Sequence, residues 1–473
     1  MCTINSKESG NIKLSIVIPT YNRLNCLRGC LYSLQKDTKL NNYEVIIVDS
    51  GSTDGTIQFL STQPNIRVIE DELRGASKAA IKGFKEACGE YVCWLNDDLI
   101  VVDNAITNML TFLEREECNG VGMGAFCLSE GKNNSFNTKG KNDTFNIKSF
   151  FGLPHADLGM IKTSLMRELN YFDESFIKYS ADIDFSLRIW ERGLLVAGCR
   201  QAKLKHLFVE DEHRESSSWI GECDYRLFIK KWDRPRVDNL IFSVSEEVIN
   251  RYFGDCEKLQ YLLMKGLILQ EKGEHKASND ILRNADALFE SILRSKSTKT
   301  GNVAFLVYLL TVAGTWYLDL EEYNIAEGLL KFISSLKVKN NEDEEIICQV
   351  SIASIRLGRL YSQQGKFIEA EAELKKALSL EPPDRNVKAN VLYAMGSNYE
   401  RQGKWNEAIE RFNYVVNNGP LSIKFSGGSH FHLGYIYKEL GKEKEAKQHF
   451  EECLRIIPNH KKAKEYLEVN LPR

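Results

Sequence analysis

The chain has 473 residues, 43% of them hydrophobic and 27% charged, and it is too long for one ordinary hydrophobic core, so we expect about two to four globular domains. Its 62 lysines and arginines against 65 acidic residues give a net charge of −3 at pH 7. This near-neutral balance excludes a strongly basic protein that binds nucleic acid through its overall charge.

The N-terminal segment MCTINSKESGNIK is polar and lacks the apolar region of a signal peptide. The longest apolar run, 303–318, is shorter than the roughly 20 residues that span a bilayer. The 12 cysteines are scattered without a CxxC motif or a zinc spacing, as expected for thiols in a reducing compartment. These features predict a cytoplasmic protein without a transmembrane segment.

Up to about Trp232, short apolar strands alternate with stretches of helical spacing. KLSIVIPTYNR predicts a strand that ends in a proline-containing turn, LNCLRGCLYSLQK a helix, and YEVIIVDSGSTDGT a strand followed by a Gly/Ser/Asp turn. A helix at 56–61, the strand IRVIE, a helix around 77–87 and a strand in EYVCWLNDDLI follow. This alternation predicts βαβ units and a mostly parallel, Rossmann-like sheet.

Three of these strands end in polar residues, at 20–22, 49–50 and 96–98. Ligands of open α/β sheets bind outside the carboxyl ends of the strands, so we expect these side chains to converge on one crevice. Asp97 and Asp98 are adjacent carboxylates at the end of a buried strand, and they destabilise the fold unless something offsets their repulsion and lost hydration. Capping of the next helix is the plainest role for such a pair.

After about Asp255 the sequence is helical and self-similar, with an interval of 38 residues between Leu357, Met395 and Leu433 (395 − 357 and 433 − 395). The other aligned positions hold small, aromatic or apolar, and helix-ending residues: Gly358, Gly396 and Gly434; Tyr361, Tyr399 and Tyr437; Ala370, Ala408 and Ala446; Leu374, Phe412 and Phe450; Pro382, Pro420 and Pro458. Small residues let two antiparallel helices approach, aromatic rings fill the gap, and proline ends the second helix.

This pattern resembles the tetratricopeptide repeat with a few extra residues in each connection. Two looser copies precede it, around Gly314 and around Gly266. We therefore predict an all-α repeat solenoid of about five repeats after the α/β domain. The predicted division is an α/β domain at 11–240, a linker at 241–255 and a repeat domain at 256–473, with the clearest repeats at 351–384, 389–422 and 427–460.

The α/β half, residues 13–232, resembles the family-two glycosyltransferases of the GT-A fold; the alternative is a generic doubly wound nucleotide-binding domain. SIVIPTYNR, EVIIVDSGSTDGT, GEYVCWLNDD, FDESFIKYSADIDFSLRIWERG and KLKH stand in the order and spacing of that family. The resemblance implies a nucleotide-sugar donor, such as a UDP- or dTDP-sugar, and a divalent metal, Mn²⁺ or Mg²⁺.

By this resemblance the carboxylates at the end of the fourth strand are the family's metal-binding element. Asp98 corresponds to the metal ligand, Asp97 to the residue that faces the ribose, and Asn96 to a position where many members carry a further aspartate. A hard cation held by carboxylates and diphosphate oxygens neutralises the charge that grows on the leaving group. An added imidazole ligand would favour Mn²⁺.

The resemblance also implies a nucleotide pocket at the ends of the first two strands. Pro19, Thr20 and Tyr21 match the base pocket, and Asp49 matches the acid that recognises the base, although this turn also reads as a plain turn or helix cap. Ser50 stands where many members have a second acid. Lys78 matches a cation near the phosphates, with a solvated helix face as the alternative.

Asp182, in SADIDFSLRIW, corresponds to the catalytic base that removes the proton of the acceptor in an inverting transfer. We expect Asp184 and Arg188 to form an i,i+4 pair that holds it in place. His206, at the end of the strand AKLKH, matches a metal or phosphate ligand, although a lone histidine is usually structural. His213 is a weaker candidate, and 158–160 resembles the loop beneath the acceptor.

Three functions compete on this sequence. In the first, the repeats present a concave surface that recruits a protein acceptor, such as flagellin or another surface protein of bacteria. In the second, the enzyme builds a polysaccharide or lipid-linked glycan, and its repeats only form a homodimer or dock it to a synthesis complex. The third is a scaffold with an inactive transferase domain, against which the joint presence of Asp98, Asp182 and His206 argues.

Overall fold

The structure is a computed structural model, and it describes residues 12–37, 40–71, 75–131, 145–177, 180–207, 218–294, 300–336, 344–418 and 423–469. Within these residues the predicted architecture is confirmed: an α/β part with a mostly parallel sheet precedes an all-helical part. None of the described helices is long and apolar enough to cross a membrane. The cysteines of the described residues are free thiols, and most of them are buried.

The α/β part contains an eight-stranded sheet and a separate, small two-stranded sheet. The strands are β1 Leu14–Thr20, β2 Tyr43–Asp49, β3 Ile66–Glu70, β4 Tyr91–Trp94, β5 Leu99–Val102, β6 Val121–Gly131, β7 Ser149–Phe150, β8 Leu153–Pro154, β9 Gly159–Lys162 and β10 Leu195–Leu207. Their order in the large sheet is β3-β2-β1-β4-β9-β6-β10-β5, while β7 pairs with β8.

The first half of the sheet is parallel, because β1 lies between β2 and β4 and β2 also pairs with β3. The apolar runs of β1, β2 and β4 are buried on both faces, as parallel strands covered by helices require. In the second half, β9 pairs antiparallel with β4 and β6, and β10 is parallel to β6 but antiparallel to β5. The carboxyl ends of β1, β2 and β4 therefore lie side by side.

The helices of this part connect and cover the strands. They are α1 Leu24–Gln35, α2 Thr56–Leu60, α3 Ala76–Glu86, α4 Ala105–Leu113, α5 Thr163–Glu168, α6 Ala181–Glu191, α7 Ser218–Lys231, α8 Arg234–Ser243 and α9 Glu246–Tyr252. The early strands and helices predicted from the sequence are present at nearly the predicted positions, because each shows a clear apolar periodicity.

The division into compact units differs from the predicted domain boundary. One unit comprises Met1–Ile268 and Lys276–Ser291, and the other Leu269–His275 and Ile292–Arg473. The side chain of Gln260 explains part of the difference, because its Oε1 accepts hydrogen bonds from the Ser149 hydroxyl (2.7 Å) and the Gly152 backbone (2.8 Å). Tyr261 is buried and donates to the carbonyl of Ile241 at 2.9 Å. Most of the predicted linker lies in α8 and α9.

The remaining chain is helical. Its elements are α10 Asp255–Glu271, α11 His275–Arg294, α12 Thr300–Asp319, α13 Tyr323–Ser334, α14 Glu344–Gln363, α15 Phe367–Ser379, α16 Arg385–Arg401, α17 Trp405–Asn417, α18 Ile423–Glu439, α19 Glu443–Ile456 and α20 Lys461–Val469. Gly396 faces the ring of Phe412 so closely that an added Cβ would lie 2.9 Å from it. The same close packing occurs in the other pairs: Gly358 on Leu374, Gly434 on Phe450, Gly314 on Leu330 and Gly266 on Leu282. The sequence alignment therefore marks the real contact between paired helices.

Candidate active site

The polar ends of β1, β2 and β4 meet at one edge of the sheet, as the sequence predicts. Thr20 pairs with Asp49 in the register of β1 and β2, and the Ser50 amide donates to the Thr20 carbonyl at 3.0 Å. On the other side of β1, the Thr20 hydroxyl donates to Oδ2 of Asp97 at 2.8 Å. Thr20 thus connects the turn after β2 to the carboxylates after β4.

Arg23 is the residue that sequence reasoning missed at this edge. Its Nη1 lies 3.3 Å from Oδ1 of Asp97 and 3.1 Å from Oδ2 of Asp98, and both carboxylates are buried. The arginine was visible at the end of the motif SIVIPTYNR, but nothing in the sequence around it indicated an acidic partner 75 residues away. Its positive charge offsets part of the repulsion between the two carboxylates, which is a different arrangement from a helix cap.

Asp98 also contacts His206, since Oδ1 of the carboxylate lies 3.1 Å from Nε2 of the imidazole. The pairing of β5 with β10 produces this contact, because it sets His206 opposite Leu99. Two ligand atoms bound side by side to one octahedral cation at about 2.1 Å lie about 3 Å apart. The spacing of Asp98 and His206 therefore fits a shared divalent cation.

Asp97 ionises less readily than an ordinary aspartate. Burial raises its pKa to about 6, the Arg23 guanidinium opposes the shift, and the neighbouring Asp98 adds to it. The hydrogen bond from Thr20 also favours the charged form. The site therefore holds negative charge that the protein itself compensates only in part, as expected where a cation or a donor hydroxyl binds.

The two carboxylate oxygens of Asp49 have different surroundings: one is held by the amides of a turn, and the other has no hydrogen-bond partner among the described residues. Its Oδ1 accepts hydrogen bonds from the amides of Gly51 (3.0 Å) and Ser52 (2.8 Å), which hold the carboxylate in one orientation. Its Oδ2 is buried and has no hydrogen-bond partner among the described residues. A buried carboxylate oxygen without a partner is costly, so this atom is suited to accept an N–H of a ligand.

The remaining predicted residues differ in their exposure. Pro19 and Tyr21 are half-buried at the end of β1, and Asn96 is exposed. Lys78 is half-buried in the first turn of α3, and within the described residues no hydrogen bond or ion pair joins it to the site. His213 lies outside the described residues. The roles of these residues stay predictions.

Asp182 lies in the first turn of α6, and the predicted support by its neighbours is present. Arg188 pairs with the buried Asp184, Nε to Oδ2 at 3.0 Å, and also donates to the carbonyls of Leu169 and Tyr171. The other oxygen of Asp184 accepts from the indole of Trp232 at 2.9 Å. These contacts fix the start of the helix, and with it the backbone of Asp182.

A second acid, Asp157, was missed by sequence reasoning and lies next to Asp182. Ligand atoms of His155, Asp157 and Asp182 all lie within 4.8 Å of one another, close enough for one cation. Within this cluster Oδ2 of Asp157 is 2.5 Å from Nζ of Lys148, and Oδ1 is 3.0 Å from Nε2 of His155. Burial and the adjacent Asp157 raise the pKa of Asp182 well above its ordinary value. HADLG carried no signal for this contact beyond the presence of two ionisable residues.

Comparisons with known proteins agree with both sequence resemblances. Residues 15–169 match the family model described as glycosyl transferase family 2, and residues 349–417 and 428–460 match tetratricopeptide repeat models. An uncharacterized glycosyltransferase of Rickettsia typhi is 30% identical over 194 residues, which are 39% of this chain and 59% of that protein. Glycosyltransferase GlyG of Streptococcus pneumoniae is 30% identical over 128 residues, 26% of this chain and 42% of that protein. The match thus spans less than two thirds of either relative.

Among solved structures, residues 1–349 of S. aureus TarS in complex with UDP-GlcNAc align with 83% of this chain and 92% of that chain. The sequence identity is 16% and the TM-score is 0.36.

Proposed function

Because this chain contains a family 2 glycosyl transferase domain followed by tetratricopeptide repeats, we propose that it is an inverting glycosyltransferase that uses a nucleotide-sugar donor. The observation that carries the proposal is the meeting of Thr20, Asp49 and the Asp97-Asp98 pair at one edge of the sheet, with His206 against Asp98. One end of this edge offers an acceptor for a base, and the other offers ligands for a cation near a diphosphate.

In this function the nucleotide base binds at the first two strand ends. Oδ2 of Asp49, which has no hydrogen-bond partner among the described residues, accepts a hydrogen bond from an N–H of the base. The N3–H of uracil or thymine is a suitable donor. Pro19 and Tyr21 flank the base. We therefore propose a UDP- or dTDP-sugar as the donor, with Asp97 directed to the ribose.

Asp98 and His206 would hold a divalent cation, Mn²⁺ or Mg²⁺, which would neutralise the charge that develops on the nucleoside diphosphate as it leaves. The Arg23 guanidinium would also stabilise this site, because it contacts both carboxylates and keeps them in place. Lys78 is proposed as a further cation near the phosphates.

Asp182 is the proposed base. It takes the proton of the acceptor nucleophile while that nucleophile forms a bond to the anomeric carbon, and the bond from this carbon to the diphosphate oxygen breaks. Burial and the adjacent Asp157 raise its pKa, so Asp182 is a stronger proton acceptor than an ordinary aspartate. An α-configured donor would then give a β-linked product.

For the acceptor we propose a protein recruited by the helical repeats, with a flagellin-like surface protein as the example. The support is the presence of stacked repeats, whose extended surfaces suit peptides and folded partners. A small sugar acceptor needs no such surface.

A binding assay tests the donor part of this proposal. Thermal unfolding is measured with UDP, dTDP, GDP and CDP, each with and without Mn²⁺. A nucleotide present at 100 times its Kd should add about 2.7 kcal/mol to the free energy of unfolding. Stabilisation by a pyrimidine nucleotide that depends on Mn²⁺ supports the proposal, and an absence of any nucleotide effect at high concentration contradicts it.

A further inference from the structure

Two histidines face each other between the two helices of the last clear repeat. Nδ1 of His430, on α18, lies 3.0 Å from Nδ1 of His449, on α19. Both side chains are half-buried, so part of each ring remains in contact with solvent. Nothing in the proposed sugar transfer uses this pair, which lies in the helical part of the chain.

The packing of the two helices sets the spacing of the pair. Gly434 follows His430 by one turn of α18, and a Cβ added to it would lie 2.8 Å from the ring of Phe450. Phe450 comes directly after His449, so the backbones are close where the two imidazoles meet. The His449 ring also stacks on Tyr437, with centroids 5.4 Å apart and planes 13° apart. Ligand atoms held on rigid elements in this way lose little conformational entropy when they bind.

The distance between the two nitrogens suits a transition-metal ion. Imidazole nitrogens bind zinc at about 2.0–2.1 Å, so two of them lie about 2.9 Å apart at a right angle and about 3.3 Å apart in a tetrahedral site. The observed 3.0 Å falls within this range. An ion would lie to one side of the line between the nitrogens, because the line itself is too short to hold it.

The protonation of the pair is compatible with such an ion. An imidazolium carries a proton on each ring nitrogen, so two of them could not face each other at 3.0 Å, and at least one Nδ1 offers a lone pair. If both rings are neutral, the donor ring can move its proton from Nδ1 to its own Nε2 by exchange with water, which frees the second lone pair. Glu452, one turn beyond His449, adds a negative charge that acts on both rings and favours a cation beside them.

We propose that His430 and His449 bind one divalent transition-metal ion, Zn²⁺, through their Nδ1 atoms, and that the ion joins α18 to α19. The ligands decide the class of metal, because imidazole suits zinc, nickel and copper, whereas magnesium and calcium prefer oxygen. This site is separate from the candidate cation site of Asp98 and His206, and it does not depend on the proposed function.

The test measures how Zn²⁺ protects individual histidines of the full chain from diethyl pyrocarbonate, with mass spectrometry of peptides as the readout. A ring that binds an ion through Nδ1 carries its proton on Nε2, so neither nitrogen can react. With Zn²⁺ at ten times the midpoint concentration, modification of His430 and His449 should be about tenfold slower. His275, an exposed histidine at the start of α11, is the internal control and should react at the same rate with and without Zn²⁺.

Reciprocal variants show whether the two rings share one ion. His449→Gln should abolish the protection of His430, and His430→Gln that of His449, because a single imidazole binds zinc much more weakly than a pair. Glutamine can still hydrogen-bond to the remaining ring, and circular dichroism checks that each variant is folded. Asp98→Asn should leave the protection of both histidines unchanged, since it alters only the other candidate cation site.

Two results would overturn the proposal. One is protection of His430 that persists in His449→Gln, which would mean that the rings do not share an ion. The other is the absence of protection of either ring in the wild-type chain at Zn²⁺ concentrations up to about 1 mM, which would leave the pair as a hydrogen bond between two helices. The second result needs no variant, so the proposal stays testable even if a substitution prevents folding.

Discussion

The guanidinium of Arg23 lies 3.1 Å from a carboxylate oxygen of Asp98, although the two residues are 75 positions apart. The same nitrogen lies 3.3 Å from Asp97, so one side chain spans both acids of the candidate metal element. The Arg23 side chain is 20% exposed, whereas the side chains of Asp97 and Asp98 are 6% and 1% exposed. The Arg23 guanidinium thus offsets part of the negative charge of the two acids, and a bound cation would offset more of it.

Asp98→Asn should abolish the dependence of nucleotide binding on Mn²⁺, because the substitution removes the carboxylate charge next to His206. Binding of UDP and dTDP is titrated calorimetrically with and without Mn²⁺ in wild type and variant. Asp71→Asn is the control, since Asp71 follows β3 at the same edge and pairs with Lys82 instead. Metal dependence that survives in Asp98→Asn would contradict the assignment.

Arg23→Gln should lower stability, and the loss should be larger at about pH 8 than at about pH 5. Burial raises the pKa of Asp97 to about 6 and Arg23 opposes this, so removing the arginine raises the pKa further. A raised folded-state pKa contributes stability that is present at low pH and lost as pH rises through it. Mn²⁺ should therefore increase the Tm of Arg23→Gln more than that of wild type, and an equal increase would contradict a shared site.

Asp49→Asn should weaken binding of UDP and dTDP by about 10- to 100-fold, the loss of one hydrogen bond to a charged group. The carboxamide oxygen still has to accept from Gly51 and Ser52, so the amide nitrogen would face the position of Oδ2. This nitrogen is itself a hydrogen-bond donor, so it would face the N3–H of the base and could not accept from it. CDP has an acceptor at this position and serves as the comparison, so a uniform loss for all three nucleotides would count against base recognition.

Asp182→Asn should reduce turnover by roughly 10²- to 10⁴-fold while donor affinity and fold persist, because it removes the proton acceptor and keeps the shape. Asp184→Asn provides the contrast. It breaks a buried network with Arg188 and Trp232, so we expect it to cost about 3–5 kcal/mol of stability. Transfer rates and thermal unfolding of both variants separate the roles, and wild-type transfer by Asp182→Asn would place the base elsewhere.

A chain of residues 1–294 should fold and still bind donor, whereas one of residues 1–238 should not fold. The shorter chain lacks Gln260, which hydrogen-bonds to Ser149 and Gly152, and the buried Tyr261. With 1–294, transfer to a protein acceptor should collapse through a higher KM, because the lost contacts lie in the repeats rather than at the reacting atoms.

Light scattering and assays on protein and small sugar acceptors check the role of the repeats. Full-rate modification of the protein acceptor by residues 1–294 would end the recruitment proposal. A change of oligomeric mass with intact transfer to a small sugar would favour the alternative, in which the repeats serve only assembly.

The sequence by itself determined the class of each half and the elements within it. Alternating apolar runs and helical spacing record which face of a segment is buried, and this is local information. The interval between Gly358, Gly396 and Gly434 likewise marked the positions where paired helices touch, because the two helices of a repeat are neighbours in the chain. The meeting of the polar ends of β1, β2 and β4 at one edge of the sheet could also be predicted, because the early strands are parallel.

Only the tertiary structure decided which charges meet. Arg23 contacts Asp98 because β1 lies beside β4, and His206 contacts Asp98 because β10 pairs antiparallel with β5. Asp157 lies beside Asp182 because hydrogen bonds fasten its segment to α6. A side chain's place in a periodic pattern says whether it is buried, but its ionisation depends on which charges lie within a few ångströms, and strand order and loop attachment set those distances.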